Sequence, residues 1–337
     1  MERISAAPSG PALVILIPVF NDWPALGMLL EKLDGVLAGR GLHASVYVVD
    51  DGSTVPRAET FARAPMKTLD EIHVLQLRRN MGHQRAIAIG LAFLESQVHP
   101  AAVAIMDADG EDDPRDVPAL LERLQERKNS SLVFAERTRR SEGLFFRCSY
   151  WFYRVIHLLL TGIRVRMGNF SALPGTALGR LVTMSELWNH YAASVVKSRM
   201  RYELIPTSRA KRLDGKSSMG FVSLVVHGLS ALSVYGDIIG VRLIAGVTGM
   251  IALAGAALLV IVAIKVGTSI AIPGWASTMS GLLLVLLLQG LELLTIFVFI
   301  ILNGRSQASF LPLRDYSFFV EKCVRIDSRC QGIAHEC

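Results

Sequence analysis

Five short aliphatic runs punctuate the first 140 residues: Leu13 to Val19, Ser45 to Val49, Ile72 to Leu77, Ala102 to Met106 and Leu132 to Ala135. Each lacks polar alternation, which predicts strands buried on both faces. Between them lie stretches with helical spacing of apolar residues, Trp23 to Ala38, His83 to Glu95 and Pro114 to Arg127. The alternation of strand and helix predicts an α/β domain built on a mostly parallel sheet. Ligands of such sheets bind beyond the carboxyl ends of the strands, so the polar residues that follow each run are the ones to examine.

The pattern changes past residue 240. Val241 to Ile264 and Ser277 to Leu302 are overwhelmingly apolar, and residues 241–304 hold only Arg242, Lys265 and Glu292 as charges. Each run exceeds the roughly 20 residues that cross a bilayer core as helix, so two transmembrane helices are predicted. Composition agrees: 51% hydrophobic and 19% charged residues, with a mean hydropathy of +0.40 over 337 residues, exceed what a soluble domain needs. Basic residues Arg209, Lys211, Arg212 and Lys216 precede the first span, and Arg305 and Arg314 follow the second. The positive-inside rule then places the large domain and both termini on the cytoplasmic side of the cell membrane. No secretory leader is read at the first apolar run, and the four cysteines, Cys148, Cys323, Cys330 and Cys337, are expected as free thiols in that compartment.

The expected organisation is a domain over residues 1–215 with an interfacial helix at 145–160, a juxtamembrane amphipathic helix at 216–240, the spans 241–264 and 277–302 within 241–304, and a cytoplasmic tail at 305–337. Phe145 to Leu160 is greasy almost all round, with Arg147, Arg154 and His157 as polar members, which suits a helix at the bilayer surface. Met219 to Ile239 carries Ser223, His227, Ser230 and Asp237 as a narrow polar stripe. His157 and His227 are read as packing or interface residues.

The net charge of +6 hides clusters: seven arginines against Glu142 between Arg137 and Arg166, and seven basic residues against Glu203 and Asp214 between Lys197 and Lys216. Beside membrane spans these indicate phosphate ligands or anionic membrane lipids. No nucleic-acid-binding motif accompanies them, so nucleic acid is not an expected partner. The strand-end chemistry is acidic. Pro18-Val19-Phe20-Asn21-Asp22 follows the first run, Asp50-Asp51-Gly52-Ser53 the second, and Asp107-Ala108-Asp109-Gly110-Glu111-Asp112-Asp113-Pro114 the fourth. Neither a dinucleotide-type glycine fingerprint nor a P-loop is present. An isolated pair such as Asp107 and Asp109 is commonly a solvated loop or helix cap, but the same pair suits a hard divalent cation.

The ordered set P-V-F-N-D, V-D-D-G-S, R-N-M-G-H and D-A-D-G-E-D resembles family 2 glycosyltransferases of the GT-A fold. The segment Arg78 to Gly90, the R-x-x-R-x-x-G stretch Arg209 to Gly215 and the two spans narrow the resemblance to the polyprenyl-phosphate glycosyltransferases, over roughly residues 12–315. That resemblance implies transfer, with inversion, of a sugar from a nucleotide sugar to a polyprenyl phosphate. It puts Asp51 at the donor's base, with Pro18, Phe20 and Asp22 lining the nucleoside, Asp50 being structural. It puts Mg²⁺ or Mn²⁺ on Asp107 and Asp109, with Glu111 a weaker third ligand, and Arg137 near the donor. Arg209 and Arg212 belong to the basic loop over the phosphates, and Asp109, Arg209 and Arg212 carry the catalysis. Arg147, with Ser149 second, meets the acceptor phosphate.

Two departures stand out. Lys216-Ser217-Ser218-Met219 replaces the family's S-K-M or S-K-L, and Asn169 stands in Gly168-Asn169-Phe170 where relatives often carry aspartate. Asn169 takes no proton, and the resemblance leaves it a positioning role only. These departures keep open an alternative: a membrane protein that binds sugar nucleotide or lipid phosphate without turnover. A processive synthase is disfavoured, since it needs more spans and a Q-x-x-R-W element. Inside the second span, Gln289 and Glu292 share a helix face, and a carboxylate in hydrocarbon needs a reason. A contact in a homo-oligomer, or one with the first span of the same chain, is the expected explanation.

Overall fold

The computed structural model describes residues 10–57, 61, 66–137, 154–163, 167–208, 210–214, 221–268, 274–306, 310–326 and 335–336. They fall into two compact units: one holds residues 1–148, 165–234 and 310–337, the other residues 149–164 and 235–309.

The first unit is a sheet in the order β7-β5-β6-β4-β1-β2-β3-β8-β9. The strands are β1 Leu13–Val19, β2 Ala44–Asp50, β3 Leu69–Leu77, β4 Ala102–Ile105, β5 Leu132–Arg137, β6 Ser171–Pro174, β7 Tyr202–Thr207, β8 Val320–Ile326 and β9 His335–Glu336. The central strands β4, β1, β2 and β3 run parallel, as do β5 and β7, while β6 and β8 run against their neighbours. Every residue of β1 and β2 is buried, because helices cover both faces. Alternate residues feed two cores. Val14 and Leu16 meet α2 (His83–Phe93), α5 (Leu178–Val182) and α6 (Tyr191–Lys197), whereas Leu13, Ile15 and Ile17 meet α1 (Trp23–Ala38) and α3 (Val117–Glu126). Gly90 of α2 lies where a Cβ would come within 2.7 Å of Leu16, so the helix seats directly on the sheet.

The residues that start β3 are fixed by a buried carboxylate. Asp34 of α1 accepts from the backbone N–H of Lys67, Thr68 and Leu69 and from the Thr68 hydroxyl, at 2.8–3.2 Å. Burial alone raises the carboxyl's pKa, but these hydrogen bonds outweigh it and hold the value below the ordinary 3.8.

Three expectations are corrected here. The tail expected at 305–337 contains β8, which lies between β3 and β9 and pairs antiparallel with β3 from Ile72↔Ile326 to Leu77↔Val320. Phe310, Leu313, Tyr316 and Phe319 ahead of it pack with Trp188 and α2 on the first core, which pulls the segment onto the domain. The single helix expected at 216–240 is divided. Helix α7 (Phe221–Ser233) ends and α8 (Gly236–Gly267) begins after Tyr235, with Val234 and Tyr235 fully buried and the Lys197 ammonium donating to the Val234 carbonyl. The interfacial helix, described at residues 154–161 (α4), groups with the spans rather than with the sheet domain.

In the second unit, α8 and α9 (Trp275–Ser306) form an antiparallel hairpin. A Cβ on Gly240 would meet Ile301, and one on Gly290 would meet Ile251. Both helices are long and apolar enough to cross a membrane, with mean hydropathy of 2.6 in each. They continue past the expected limits because Asp237 and Lys265 are accommodated near the helix ends. Arg242 of α8 donates to the Leu159 carbonyl at 2.7 Å and so caps α4. His157 is buried there and donates through Nδ1 to the Ile163 carbonyl. Gln289 and Glu292 are exposed on α9. His227's side chain, Cys148, Cys330 and Cys337 lie outside the described residues, while Cys323 is buried in β8.

Replacing Asp34 with alanine strands three N–H groups, and the expected cost is about 3 kcal/mol. Because the folded pKa is depressed, this stabilisation is fully present above pH 3.8 and is lost as pH falls through the folded value. Denaturant unfolding of wild type and Asp34→Ala at neutral and acid pH reads both effects, and the two proteins should converge in acid.

Candidate functional site

The carboxyl ends of β1, β2, β3 and β4 carry the loops singled out above, and the structure ties them together. Asn21, in a left-handed conformation at φ 59°, accepts through Oδ1 from the N–H of Thr54 and Val55, while its own N–H donates to the Ser53 hydroxyl. Trp23 Nε1 donates to the Val55 carbonyl. The β1 and β2 loops therefore move as one piece. Gly52, at φ 70°, sits where a Cβ would lie 2.5 Å from the Arg79 carbonyl carbon, so the β2 loop presses on the residues after β3.

Asp50 and Asp51 are both buried. Asp50 accepts from the Ser53 N–H, a turn-building bond that suits its expected structural role. Asp51 accepts from the N–H of Met81 at 2.6 Å and of Gly82 at 2.9 Å. Burial pushes its carboxyl above the ordinary range, an effect these two bonds only partly offset. Asp51 therefore shapes the entry to α2, a task invisible in the motif because its partners are backbone groups. Pro18 is likewise buried within β1, and the side chain exposed at that strand's end is Phe20, at 45%. Phe20 and the half-buried Asp22 are the accessible members of the expected donor-binding set at this corner.

The loop after β4 concentrates negative charge. Asp107's N–H donates to Asp112, which is buried, so Asp112 builds the loop rather than lining it. Asp109 accepts from the Glu111 N–H through Oδ1 and meets Arg212 Nη1 at 3.1 Å through Oδ2. Burial raises Asp109's pKa above the ordinary value, Asp107 and Glu111 add to the rise, and the Glu111 N–H and Arg212 oppose it. Asp113 caps the turn that starts the following helix by accepting from the Arg115 N–H.

Residues 210–214 lie along this acidic loop. Ala210 N–H donates to the Glu111 carbonyl and Leu213 N–H to the Asp109 carbonyl, each at 3.0 Å. Leu213 packs over Gly110, whose φ of 76° and lack of a Cβ make room for it. Arg212 is 17% exposed; it pairs with Asp22 as well as Asp109, and its Nε donates to the Asp214 carbonyl. One guanidinium thus bridges two carboxylates from different strand ends. It occupies the charge position of a cation, and the oxygen donors around it are those a hard divalent ion takes. Among the described residues, no three His, Cys, Asp or Glu side chains are already gathered around one point.

A second network lies on the other side of Asp107. His83, the first residue of α2, has Nε2 at 3.2 Å from Asp107 Oδ1 and at 3.0 Å from Asn169 Nδ2. Desolvation works against a charged His83, but Asp107, by charge and hydrogen bond, with Asp112 and Asp109 beyond it, holds the pKa above its ordinary value. Asn169 also accepts from Gln84 Nε2. Sequence reasoning assigned nothing to His83 beyond its place in R-N-M-G-H and did not find Gln84. Position 169 was the one available signal, being amide where relatives often carry acid.

The remaining expected residues are distributed as follows. Arg137 ends β5 opposite Thr207, with its side chain outside the described residues. Arg147, Ser149 and Arg209 lie outside the described residues altogether, as does Lys216.

A mostly parallel sheet with acidic loops at its carboxyl edge defines the class as a GT-A α/β fold. Residues 14–181 match the family model described as Glycosyl transferase family 2, and the chain belongs to that family. It is 26% identical over 154 residues to a dodecaprenyl-phosphate galacturonate synthase of Rhizobium johnstonii, an alignment that covers 45% of this chain and 44% of that protein. It is 24% identical over 285 residues to an undecaprenyl-phosphate 4-deoxy-4-formamido-L-arabinose transferase of Edwardsiella ictaluri, covering 78% and 79%. The chain therefore spans under half the length of the first relative and about four fifths of the second. Among solved structures, mannosyl-3-phosphoglycerate synthase of Rubrobacter xylanophilus aligns with a TM-score of 0.47 and 14% identity over 66% of this chain and 72% of that one.

Arg212→Ala removes a half-buried double ion pair, each charged contact being worth about 1.5–3 kcal/mol. Amide exchange at Ala210 and Leu213 should then accelerate about tenfold or more, read by hydrogen–deuterium exchange, while the β1 amides stay protected.

Proposed function

We propose that this protein is an inverting glycosyltransferase that moves a sugar from a nucleotide-sugar donor to a polyprenyl phosphate at the cytoplasmic face of a membrane. The observation that carries the reading is the presence in one chain of an acidic strand-end site and a hairpin of two membrane-length helices. The similarity to polyprenyl-phosphate transferases over most of the chain supports it.

In this reading Phe20, exposed beside Asp22, offers its face to the nucleobase. Asp107 and Asp109, with Glu111 as an additional oxygen, would hold Mg²⁺ or Mn²⁺, whose charge when bound stabilises the diphosphate that leaves. Arg212 turns from Asp22 and Asp109 to phosphate oxygens once the donor is present, since a guanidinium pairs with either, and Arg209 and Arg137 belong to the same phosphate-binding set. Arg147 and Ser149, in the segment that leads into α4, receive the acceptor phosphate at headgroup level.

The acceptor oxygen needs no base. A lipid monophosphate with a second pKa near about 6 is already an anion at neutral pH. Asn169, which takes no proton, is compatible with that acceptor and unsuited to an alcohol. The attacking phosphate oxygen forms its bond to the anomeric carbon as the bond to the nucleoside diphosphate breaks, which inverts the centre. Gln289 and Glu292, exposed on α9, are contacts of a homo-oligomer within the membrane, because an uncompensated carboxylate there is costly. The domain and both termini lie on the cytoplasmic side, where anionic lipids meet the basic residues.

The test is transfer from a panel of nucleotide sugars to a polyprenyl phosphate, with the lipid product identified by mass spectrometry. Product formation is expected, and chelation should abolish it. Asp109→Ala in folded protein should lower turnover by on the order of 10²-fold or more, the usual cost of losing a group that acts on developing charge. Ligand binding without product from any donor would instead make the chain a binding protein. A second prediction concerns the membrane contact: Glu292→Leu should reduce oligomer size or melting temperature in native mass and thermal-shift measurements, with donor binding unchanged.

A further inference from the structure

The side chains behind Asp107 form a hydrogen-bond chain whose direction is set at one end. The backbone N–H of Tyr191 is a donor and nothing else, and it lies 2.8 Å from Gln84 Oε1. Gln84 is buried, so its amide has one orientation, with Nε2 donating to Asn169 Oδ1 at 3.1 Å. Asn169 must then turn Nδ2 toward His83 Nε2, 3.0 Å away. A nitrogen that receives an N–H presents a lone pair, so Asn169 favours neutral His83 with its proton on Nδ1, against Asp107 Oδ1, which lies 3.2 Å from the same Nε2 and favours the other tautomer. Asn169 is itself held, because the Ser171 hydroxyl donates to its carbonyl and accepts from the buried Tyr191 hydroxyl.

Nδ1 of His83 makes no hydrogen bond to any described residue, and the side chain is 39% exposed. The ring stands on the first residue of an eleven-residue helix whose N-cap is Gly82, where the helix end favours negative charge.

We infer that His83 is a phosphate-binding residue of the active site, its proton set on Nδ1 by the relay from the Tyr191 N–H through Gln84 and Asn169. Gln84 and Asn169 are positioning residues: they touch no ligand and set which ring nitrogen carries the proton. The inference rests on the proposed reading only in taking the cleft as one that receives phosphate. The oxygen bound belongs either to the donor's diphosphate or to the acceptor's monophosphate, which share the chemistry. Asn169 thereby gains a reason to be an amide, since only a side chain with both an acceptor and a donor can pass the direction from Gln84 to His83.

The test is nuclear magnetic resonance on the full-length protein in detergent with ¹⁵N-labelled histidine, at pH about 9, where imidazole is ordinarily neutral. Wild type should show His83 protonated on Nδ1. Asn169→Leu, which removes the donor to Nε2, should move the proton to Nε2, where Asp107 accepts it, and Gln84→Leu should do the same in part. Addition of inorganic pyrophosphate in one arm and farnesyl phosphate in the other should shift the His83 signals in one of them, and that arm identifies the source of the phosphate. His83→Ala should weaken binding of the same probe about tenfold, with His83→Asn, whose amide N–H₂ stands near the position of Nδ1, recovering most of it. A wild-type proton on Nε2, or signals that ignore both probes, overturns the inference. Failure of the transferase reading looks different: no sugar transfer from any donor, with the His83-dependent phosphate binding intact.

Discussion

Concentrated negative charge at the carboxyl edge of the sheet is the constraint on which the rest of this molecule depends. Asp22, Asp50, Asp51, Asp107, Asp109, Glu111 and Asp112 all issue from three neighbouring strand ends, several of them buried. Charge of one sign at such density is sustained only when each carboxylate is met by a donor. The structure meets five of them in two ways. Asp50, Asp51 and Asp112 are paired with backbone N–H groups and become part of the loops. Asp22 and Asp109 are met by a mobile kind of charge, the Arg212 side chain.

That division separates scaffold from working surface. Carboxylates answered by the backbone cannot change partners without unfolding a turn, whereas those answered by Arg212 are held by a side chain whose rotation would free them. Asn21 and Gly52 then lock the loops so that the exchangeable pair stays in register. The relay behind Asp107 extends the same economy to a neutral group, because a backbone N–H 107 residues away from Gln84 decides how His83 is presented.

Much of this was legible in sequence where the cause was local. The aliphatic run Leu13 to Val19 is β1 to the residue, and Trp23 to Ala38 is α1, because burial on both sheet faces and an amphipathic stripe leave plain patterns. The acidic loop was equally plain. β8 was not, since Val320–Ile326 carries Glu321, Lys322 and Arg325 in a strand one place from the sheet's end and pairs with residues some 250 positions earlier. The tasks of Asp51 and Gln84 escaped for a related reason: their partners are backbone amides, which no motif spells. Asn169 was visible as a departure, but its meaning required the two side chains that fold around it from α2.

The return of the chain to the sheet after its second apolar helix has a practical consequence for anyone seeking a soluble version of the domain. Ending the polypeptide ahead of α8 would discard β8 together with the hairpin, leaving the backbone of β3 bare along Ile72 to Leu77. An unprotected strand of that hydrophobicity is an invitation to intermolecular pairing, and the aromatic patch around Trp188 would lose Phe310 and Phe319 at the same time. Excision with a short linker joining the end of α7 to residue 310 keeps the edge covered, so aggregation of a simple truncation would report a missing strand and not an intrinsic dependence of the domain on lipid.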